Sequence, residues 1–213
     1  MKIVALCYEG MTLLDLVGPT QVWSFLPDVQ IQYVAPQDLR VATDCGLPVT
    51  ATHSFGDAWE APDVLFVGGG GKPALDAAAD PRIQDFLRSR GERASWITSV
   101  CTGSLIMAAA GLYDGYRAAT YWGAREMLAG YGIDVSEERV CIDRNRISGG
   151  GITAGIDFGL ATAAHWFGDD TGRLFELVLE YAPQPPFGTG RPELADEKTL
   201  RTARTMTEAV FQQ

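Results

Sequence analysis

The sequence predicts an α/β fold in which a mostly parallel β-sheet carries helices on both faces. Short apolar segments alternate along the chain with segments of helical pattern, and this alternation is typical of parallel sheets. The chain has 213 residues, the size of one such domain, and 46% of them are hydrophobic, which is enough to fill a core. We therefore expect a single domain over residues 1–213.

Four segments are predicted to be strands of the sheet because they are rich in β-branched and aromatic residues and are bounded by Gly, Pro or Asp. They are Ile3–Tyr8, Ile31–Ala35, Val64–Val67 and Trp96–Val100. A small hairpin is predicted where two further apolar segments flank Asn145. Its strands are Val140–Asp143 and Arg146–Ser148.

Six segments have the pattern of helices, and a terminal helix is expected at about 192–213. The six are Pro19–Phe25, Pro81–Arg90, Thr102–Ala110, Tyr121–Leu128, Thr153–Phe167 and Thr171–Tyr181. We place Pro19 and Pro81 in first helical turns, which tolerate a residue without an N–H.

The charge, the hydropathy and the cysteines of the chain argue against several classes of protein. A formal net charge of −10 argues against nucleic acid as a partner, since phosphate binding needs a basic face. No apolar run is long enough to span a membrane. The four cysteines are scattered without a CxxC pair, which indicates neither a metal site nor a disulfide framework. Reduced thiols of this kind are typical of a cytoplasmic protein.

Four polar or glycine-rich segments follow predicted strands. Asp15 comes after the first strand, Gly68–Gly71 after Val64–Val67, Cys101 after Trp96–Val100, and Gly149–Gly151 after the hairpin. The carboxyl ends of parallel strands lie along one edge of a sheet, where ligands bind. We therefore expect these four segments to converge.

Cys101 occupies a tight turn between a predicted strand and a predicted helix. Such a turn is the arrangement of a nucleophile elbow, and the start of the helix is expected to favour the thiolate. Position alone does not separate this interpretation from a buried, inert cysteine. Thr102 is interpreted either as a helix cap or as a hydroxyl that points at substrate.

Asp15 lies among leucines, where a carboxylate is costly to bury unless it is paired or its pKa is raised. It is either a general acid/base beside Cys101 or an ordinary acid in the first turn of a helix. The only histidines, His53 and His165, lie away from the expected edge, so a Cys–His arrangement is not predicted.

Two glycine runs formally match a dinucleotide fingerprint, but neither is followed by the required elements. We interpret them as turns that offer backbone N–H groups, such as those of Gly70 and Gly150, to a small polar centre. No cofactor and no metal are expected.

Together these residues resemble a known family. The segments LDLVGP (Leu14–Pro19), TSVCTGS (Thr98–Ser104) and GGGITAGID (Gly149–Asp157) are similar to the ThiJ/PfpI superfamily. Asp15, where many relatives carry glutamate, and the Gly-Gly-Gly-Ile-Thr-Ala-Gly run resemble its isocyanide-hydrating branch. The likeness continues through Leu179–Pro183 and covers nearly the whole chain.

The resemblance implies a flavodoxin-like, doubly wound fold of the class I glutamine amidotransferase type, a homodimer, no cofactor, and a small-molecule isocyanide as substrate. It implies Cys101 as nucleophile and Asp15 as acid/base. It also implies that Thr102, Gly150 and Ile152 bind or position substrate. Relatives often carry histidine where this chain has Tyr121, so we expect Tyr121 to alter the substrate pocket.

Two other functions stay open from the sequence. A glyoxalase or deglycase of the same superfamily would act on dicarbonyls, although those activities favour glutamate and histidine near the cysteine. A redox sensor would use oxidation of Cys101, because an exposed thiolate of low pKa is what oxidants attack. A DNA-bound regulator is disfavoured because the chain shows neither a helix-turn-helix pattern nor a basic face.

Overall fold

The structure, a computed structural model, describes residues 1–212. Its strands are β1 (Lys2–Leu6), β2 (Gln30–Ala35), β3 (Arg40–Val41), β4 (Val49–Thr50), β5 (His53–Ser54), β6 (Val64–Val67), β7 (Trp96–Val100), β8 (Arg117–Ala119), β9 (Asp134–Ser136), β10 (Val140–Asp143) and β11 (Arg146–Gly149). Its α-helices are α1 (Leu13–Trp23), α2 (Gly71–Ala79), α3 (Pro81–Gly91), α4 (Gly103–Ala109), α5 (Arg125–Gly130), α6 (Ala154–Phe167), α7 (Asp169–Val178) and α8 (Glu197–Val210).

Seven strands form the central sheet in the order β10-β11-β7-β6-β1-β2-β5. All its pairs are parallel except the β10–β11 hairpin. One group of helices, α1, α6 and α7, packs together, and α2, α3 and α4 form a second group. The predicted flavodoxin-like class is confirmed, and β6 and β7 have the predicted bounds.

Helix α1 corrects one prediction. It begins at Leu13, so Pro19 lies inside the helix and not in its first turn. A proline there removes one backbone hydrogen bond, and its ring crowds the preceding turn. The opposing helix α6 accommodates the ring with Gly155, where a Cβ would come within 3.1 Å of Pro19 Cδ. The resulting close packing of α1 on α6 fixes the segment that carries Asp15.

Three further helices differ from the prediction. Helix α2 was not predicted, and Pro73 lies in its first turn, where proline is tolerated. The predicted helix Tyr121–Leu128 is a 3₁₀ turn, Trp122–Ala124, followed by α5. In the predicted terminal helix 192–213, Asp196 caps α8 by accepting from the N–H groups of Lys198 and Thr199, and position 213 lies outside the described residues.

Candidate active site

Cys101 stands in a strained turn between β7 and α4. Its φ of +56° lies in the left-handed region, which is unusual for any residue other than glycine. Its N–H donates to the carbonyls of Gly149 and Gly150 at 3.1 and 3.0 Å. Its carbonyl accepts from the hydroxyls of Ser104 and Thr120 at 3.0 and 3.1 Å. Strained residues persist where neighbours hold them, and these four bonds hold this one.

Gly103 lets the helix after the elbow lie against the neighbouring strand. A Cβ at this position would collide with the carbonyl oxygens of Val67 and Gly68 at the end of β6. Those oxygens belong to the backbone at the end of a central strand, which cannot shift without a loss of stability. The glycine therefore brings Cys101 to the same edge of the sheet as the glycine run after β6.

Asp15 is buried in the first turn of α1, with no exposed surface. Its Oδ2 accepts from the N–H of Gly69 at 2.8 Å, and Oδ1 has no hydrogen-bond partner of good geometry within residues 1–212. Burial raises the pKa of Asp15 to about 7, although the Gly69 N–H and the Cys101 thiol act to lower it. The raised pKa agrees with the expectation from the leucine-rich segment.

The electrostatic setting of Cys101 differs from the expectation of a stabilised thiolate. The residue is only 5% exposed, and burial raises the pKa of its thiol well above the ordinary value. The charge of Asp15 raises this pKa further, while backbone N–H groups of Ile152 and Thr102 lower it. Helix α4 has only seven residues, and the loss of hydration outweighs the N–H groups at its start.

Thr102 and Gly70 are bound to each other. The N–H of Gly70 donates to Thr102 Oγ1 at 2.9 Å, and the same hydroxyl donates to the Gly70 carbonyl at 3.1 Å. The Thr102 side chain does not cap α4, and its hydroxyl is already paired. What Thr102 presents to the sulfur is its backbone N–H. The Gly70 N–H, which we expected to face a small polar centre of the substrate, is likewise occupied.

The loop after β11 supplies the other contact to the sulfur. Ile152 has φ +27°, its N–H faces Cys101 Sγ, and its side chain is 41% exposed. Gly150 contributes its carbonyl to the Cys101 N–H, while its own N–H donates to the Arg139 carbonyl at 2.9 Å. All four segments that we expected to converge do meet here.

Tyr121 borders a cavity of about 560 Å³ beside this loop. Its hydroxyl is 2.9 Å from Thr207 Oγ1 on α8, and its ring packs so closely on Gly151 that a Cβ there would collide with it. The cavity is lined by the Gly150–Thr153 loop, by aromatic Tyr121 and Trp122, and by the segment 190–194. Sequence reasoning missed this segment, because the pattern there gave no sign of a contact with the site.

The histidines stand away from the site, as expected. His53 is in β5, at the far edge of the sheet, and the ring of His165 packs edge-on against Trp96 at the start of β7. Cys45 is exposed, and its hydrogen bond with Thr43 lowers the pKa of its thiol. Within the described chain, no cluster of His, Cys, Asp or Glu has the form of a metal site.

No helix among residues 1–212 combines the length and the apolar character needed to cross a membrane.

The chain is similar to proteins of known sequence, to one of them over almost its full length. It is 41% identical over 204 residues to the isonitrile hydratase of Pseudomonas putida, covering 96% of this chain and 89% of that protein. It is 32% identical over 143 residues to the HTH-type transcriptional regulator CdhR of Pseudomonas aeruginosa, covering 66% of this chain and 40% of the regulator.

The fold is similar to that of solved structures. The crystal structure of a ThiJ/PfpI family protein from Pseudomonas syringae superposes with a TM-score of 0.96 at 40% identity, over 99% of this chain and 87% of that one. Oxidized Toxoplasma gondii DJ-1, at 17% identity and a TM-score of 0.76, shares the fold over 85% of this chain and 99% of its own. The family model described as DJ-1/PfpI matches residues 1–165, so the chain belongs to the DJ-1/PfpI family.

Proposed function

We propose that this chain is an isocyanide hydratase, a cofactor-independent enzyme that adds water to an isocyanide to give an N-substituted formamide. The observation that carries the proposal is the convergence of four segments, joined by hydrogen bonds, that brings two buried acids, the Asp15 carboxyl and the Cys101 thiol, to one edge of the sheet. Each of the two acids shifts the pKa of the other. The 41% identity to an isonitrile hydratase supports the substrate class, since isonitrile is another word for isocyanide.

The first step adds the thiol across the isocyanide carbon. As Sγ of Cys101 attacks that carbon, its proton passes to the Asp15 carboxylate and from there to the same carbon. The S–H bond breaks, one C–S and one C–H bond form, and the product is a thioimidate, R–N=CH–S–Cys101. A resting pair of neutral thiol and carboxylate, which burial of Cys101 favours, already holds the proton that this step needs.

The second step hydrolyses the thioimidate. Asp15 takes one proton from water as the oxygen attacks the carbon and passes it to the imine nitrogen, which gives R–NH–CH(OH)–S–Cys101. The C–S bond then breaks, and the remaining hydroxyl proton passes to the sulfur. R–NH–CHO leaves, so that one water has been added to one isocyanide. The Ile152 and Thr102 N–H groups face the sulfur and stabilise the charge that it carries in both steps.

Gly70 and Thr102 act in this mechanism by holding a backbone group in place. Their reciprocal hydrogen bonds fix the position of the Thr102 N–H beside the sulfur. Gly150 orients the Cys101 backbone through its carbonyl. Tyr121 lines the cavity where the substituent of the isocyanide is placed.

The test is incubation with a para-substituted phenyl isocyanide, with formamide followed by ultraviolet absorbance. We expect turnover by the parent, none by Cys101→Ala, and unchanged turnover by Cys45→Ser, which alters the exposed thiol instead. Brief exposure to substrate is expected to add its mass to the peptide that contains Cys101. Absence of formamide at micromolar enzyme, or turnover of methylglyoxal instead, would overturn the proposal.

We also propose that the enzyme is a homodimer. Apolar side chains are exposed around the site: Leu14 is 37% exposed, Val17 41% and Ile152 41%. Exposed apolar groups that cluster beside a site are typical of an interaction surface. Sedimentation at micromolar concentration is expected to give the mass of two chains, and Val17→Asp is expected to shift it towards one. A single-chain mass for the parent would contradict the proposal.

A cytoplasmic location is part of the same proposal. The four cysteines are free, as expected for a protein kept in a reducing compartment. Cell fractionation tests the location, and recovery of the protein from an oxidising compartment would contradict it.

We also propose that residues 1–213 form one domain. A single cooperative unfolding transition is expected, and two separate transitions would contradict the proposal.

A further inference from the structure

Arg139, which lies between β9 and β10, contacts both ends of the loop that reaches the nucleophile. Its carbonyl accepts from the Gly150 N–H at 2.9 Å. Its guanidinium donates to Thr153 Oγ1 at 3.4 Å and to Asp157 Oδ2 at 2.6 Å. The residue therefore bridges the start of the loop to its end and to the first turn of α6.

Asp157 is held by a second donor as well. The hydroxyl of Tyr181, beyond α7, donates to the same Oδ2 at 2.8 Å. The side chains of Arg139 and Asp157 are 38% and 30% exposed, so water screens their ion pair less than a pair on the open surface. A charge-assisted bond of this length restricts both partners strongly.

The loop between these anchors carries the strained residue Ile152. Its φ of +27° is unfavourable for a β-branched side chain, and such a conformation persists only where the surroundings impose it. The loop reaches the nucleophile at two places: the Gly149 and Gly150 carbonyls accept from the Cys101 N–H, and the Ile152 N–H lowers the pKa of the Cys101 thiol.

We propose that Arg139 is a positioning residue: through Gly150, Thr153 and Asp157 it holds the N–H of Ile152 against the sulfur of Cys101. Arg139 itself touches neither the sulfur nor Asp15. Its effect on catalytic rate rests on the function proposed above, whereas its effect on the Ile152 amide does not.

The test compares the parent with Arg139→Met, which keeps much of the aliphatic side chain, and with Arg139→Lys, which keeps the charge. Hydrogen exchange of the Ile152 amide is measured by NMR, and kcat and KM are measured with a phenyl isocyanide. Arg139→Met is expected to speed exchange at Ile152 and to lower kcat roughly tenfold, less than the ~10²–10³-fold typical of deleting a donor outright. Arg139→Lys is expected to recover part of both effects. Arg139 also lines the cavity beside Tyr121, so a rise in KM with kcat and exchange unchanged would mean that it acts on substrate directly, and would overturn the proposal.

The matched control is Arg93→Met, which breaks an ion pair to Glu60 of 2.9 Å. Arg93 and Glu60 precede β7 and β6, at the opposite edge of the sheet from the site. This variant is expected to leave the Ile152 amide and kcat unchanged. Thermal unfolding of each variant separates a general loss of stability from a local one.

An Ile152 amide that exchanges at the parent rate in Arg139→Met overturns the proposal, as does a kcat loss that Arg93→Met shows equally. If Arg139→Met does not fold, Asp157→Asn provides the same test, because it weakens the ion pair and leaves the bond from Gly150 intact. If the parent does not hydrate isocyanides but Arg139→Met still loosens the Ile152 amide, the proposed function fails and the positioning role stands.

Discussion

Asp15 and Cys101 are buried acids in contact, and the contact moves their affinities for a proton in opposite directions. Burial raises the pKa of both groups. The neighbouring thiol lowers the pKa of Asp15, while the carboxylate raises the pKa of Cys101. The proton is therefore held on sulfur at rest, with a carboxyl group of pKa about 7 beside it to carry it.

The first prediction concerns Asp15→Asn. The amide still accepts from the Gly69 N–H but no longer carries a proton between sulfur, substrate and water. We expect kcat to fall by about 10²–10⁴-fold, the usual contribution of a general acid/base. Initial rates of formamide production measure the effect. Activity within threefold of the parent would show that another group moves the proton.

The second prediction concerns stability against pH. The pKa of Asp15 is raised from 3.8 to about 7 on folding, so between these values the folded state binds more protons than the unfolded chain. The free energy of unfolding therefore falls as the pH rises through this window. Asp15→Asn removes the effect and is expected to stabilise the protein at pH 8 by something on the order of 3 kcal/mol, with little change near pH 4.

Urea unfolding of the parent and of Asp15→Asn at the two pH values measures this difference. Titrating groups that do not interact with Asp15 cancel, because they are present in both proteins. An equal difference in stability at both pH values would show that the Asp15 carboxyl titrates normally.

The third prediction concerns the close packing behind the elbow. In Gly103→Ala the new Cβ meets the carbonyls of Val67 and Gly68, and we expect a loss of roughly 1–3 kcal/mol together with most activity. The control is Gly130→Ala at the end of α5, where a Cβ meets nothing within 4 Å. That variant is expected to be neutral or stabilised by up to about 1 kcal/mol. Chemical unfolding compares them, and equal effects would refute the steric argument.

The fourth prediction concerns the link between Tyr121 and the terminal helix. Tyr121→Phe and Thr207→Val each remove the same hydrogen bond of 2.9 Å, so each is expected to cost about 1 kcal/mol of stability. Because one interaction is shared, the double variant is expected to lose less than the sum of the two. A double-mutant cycle in urea tests this. Strictly additive losses would mean that the two hydroxyls act separately.

The strands and the convergence at one edge could be predicted because their causes are local. Val64–Val67 and Trp96–Val100 are short apolar segments between breaking residues, and both have the predicted bounds. Once such strands run parallel, the residues after them must share an edge. For the same reason Asp15 and Cys101 could be placed together before any contact was known.

What could not be predicted depends on packing between distant segments. The start of α1 at Leu13 was not predicted because Pro19 lies inside the helix, where its ring packs against Gly155 of α6. The paired hydroxyl of Thr102 depends on the backbone of Gly70 across the site. The raised pKa of Cys101 depends on how completely the folded chain excludes water from the sulfur, which no short motif encodes.

The loop after β11 serves the nucleophile twice, through the carbonyls that hold the Cys101 backbone and through the Ile152 N–H that faces its sulfur. An insertion or deletion in this loop would displace the carbonyls and the Ile152 N–H together. We therefore expect few changes of loop length to be compatible with activity. New substrate preferences are easier to evolve on the wall of the cavity that Trp122 and the segment 190–194 form. Libraries for altered substrate scope are best directed to that wall.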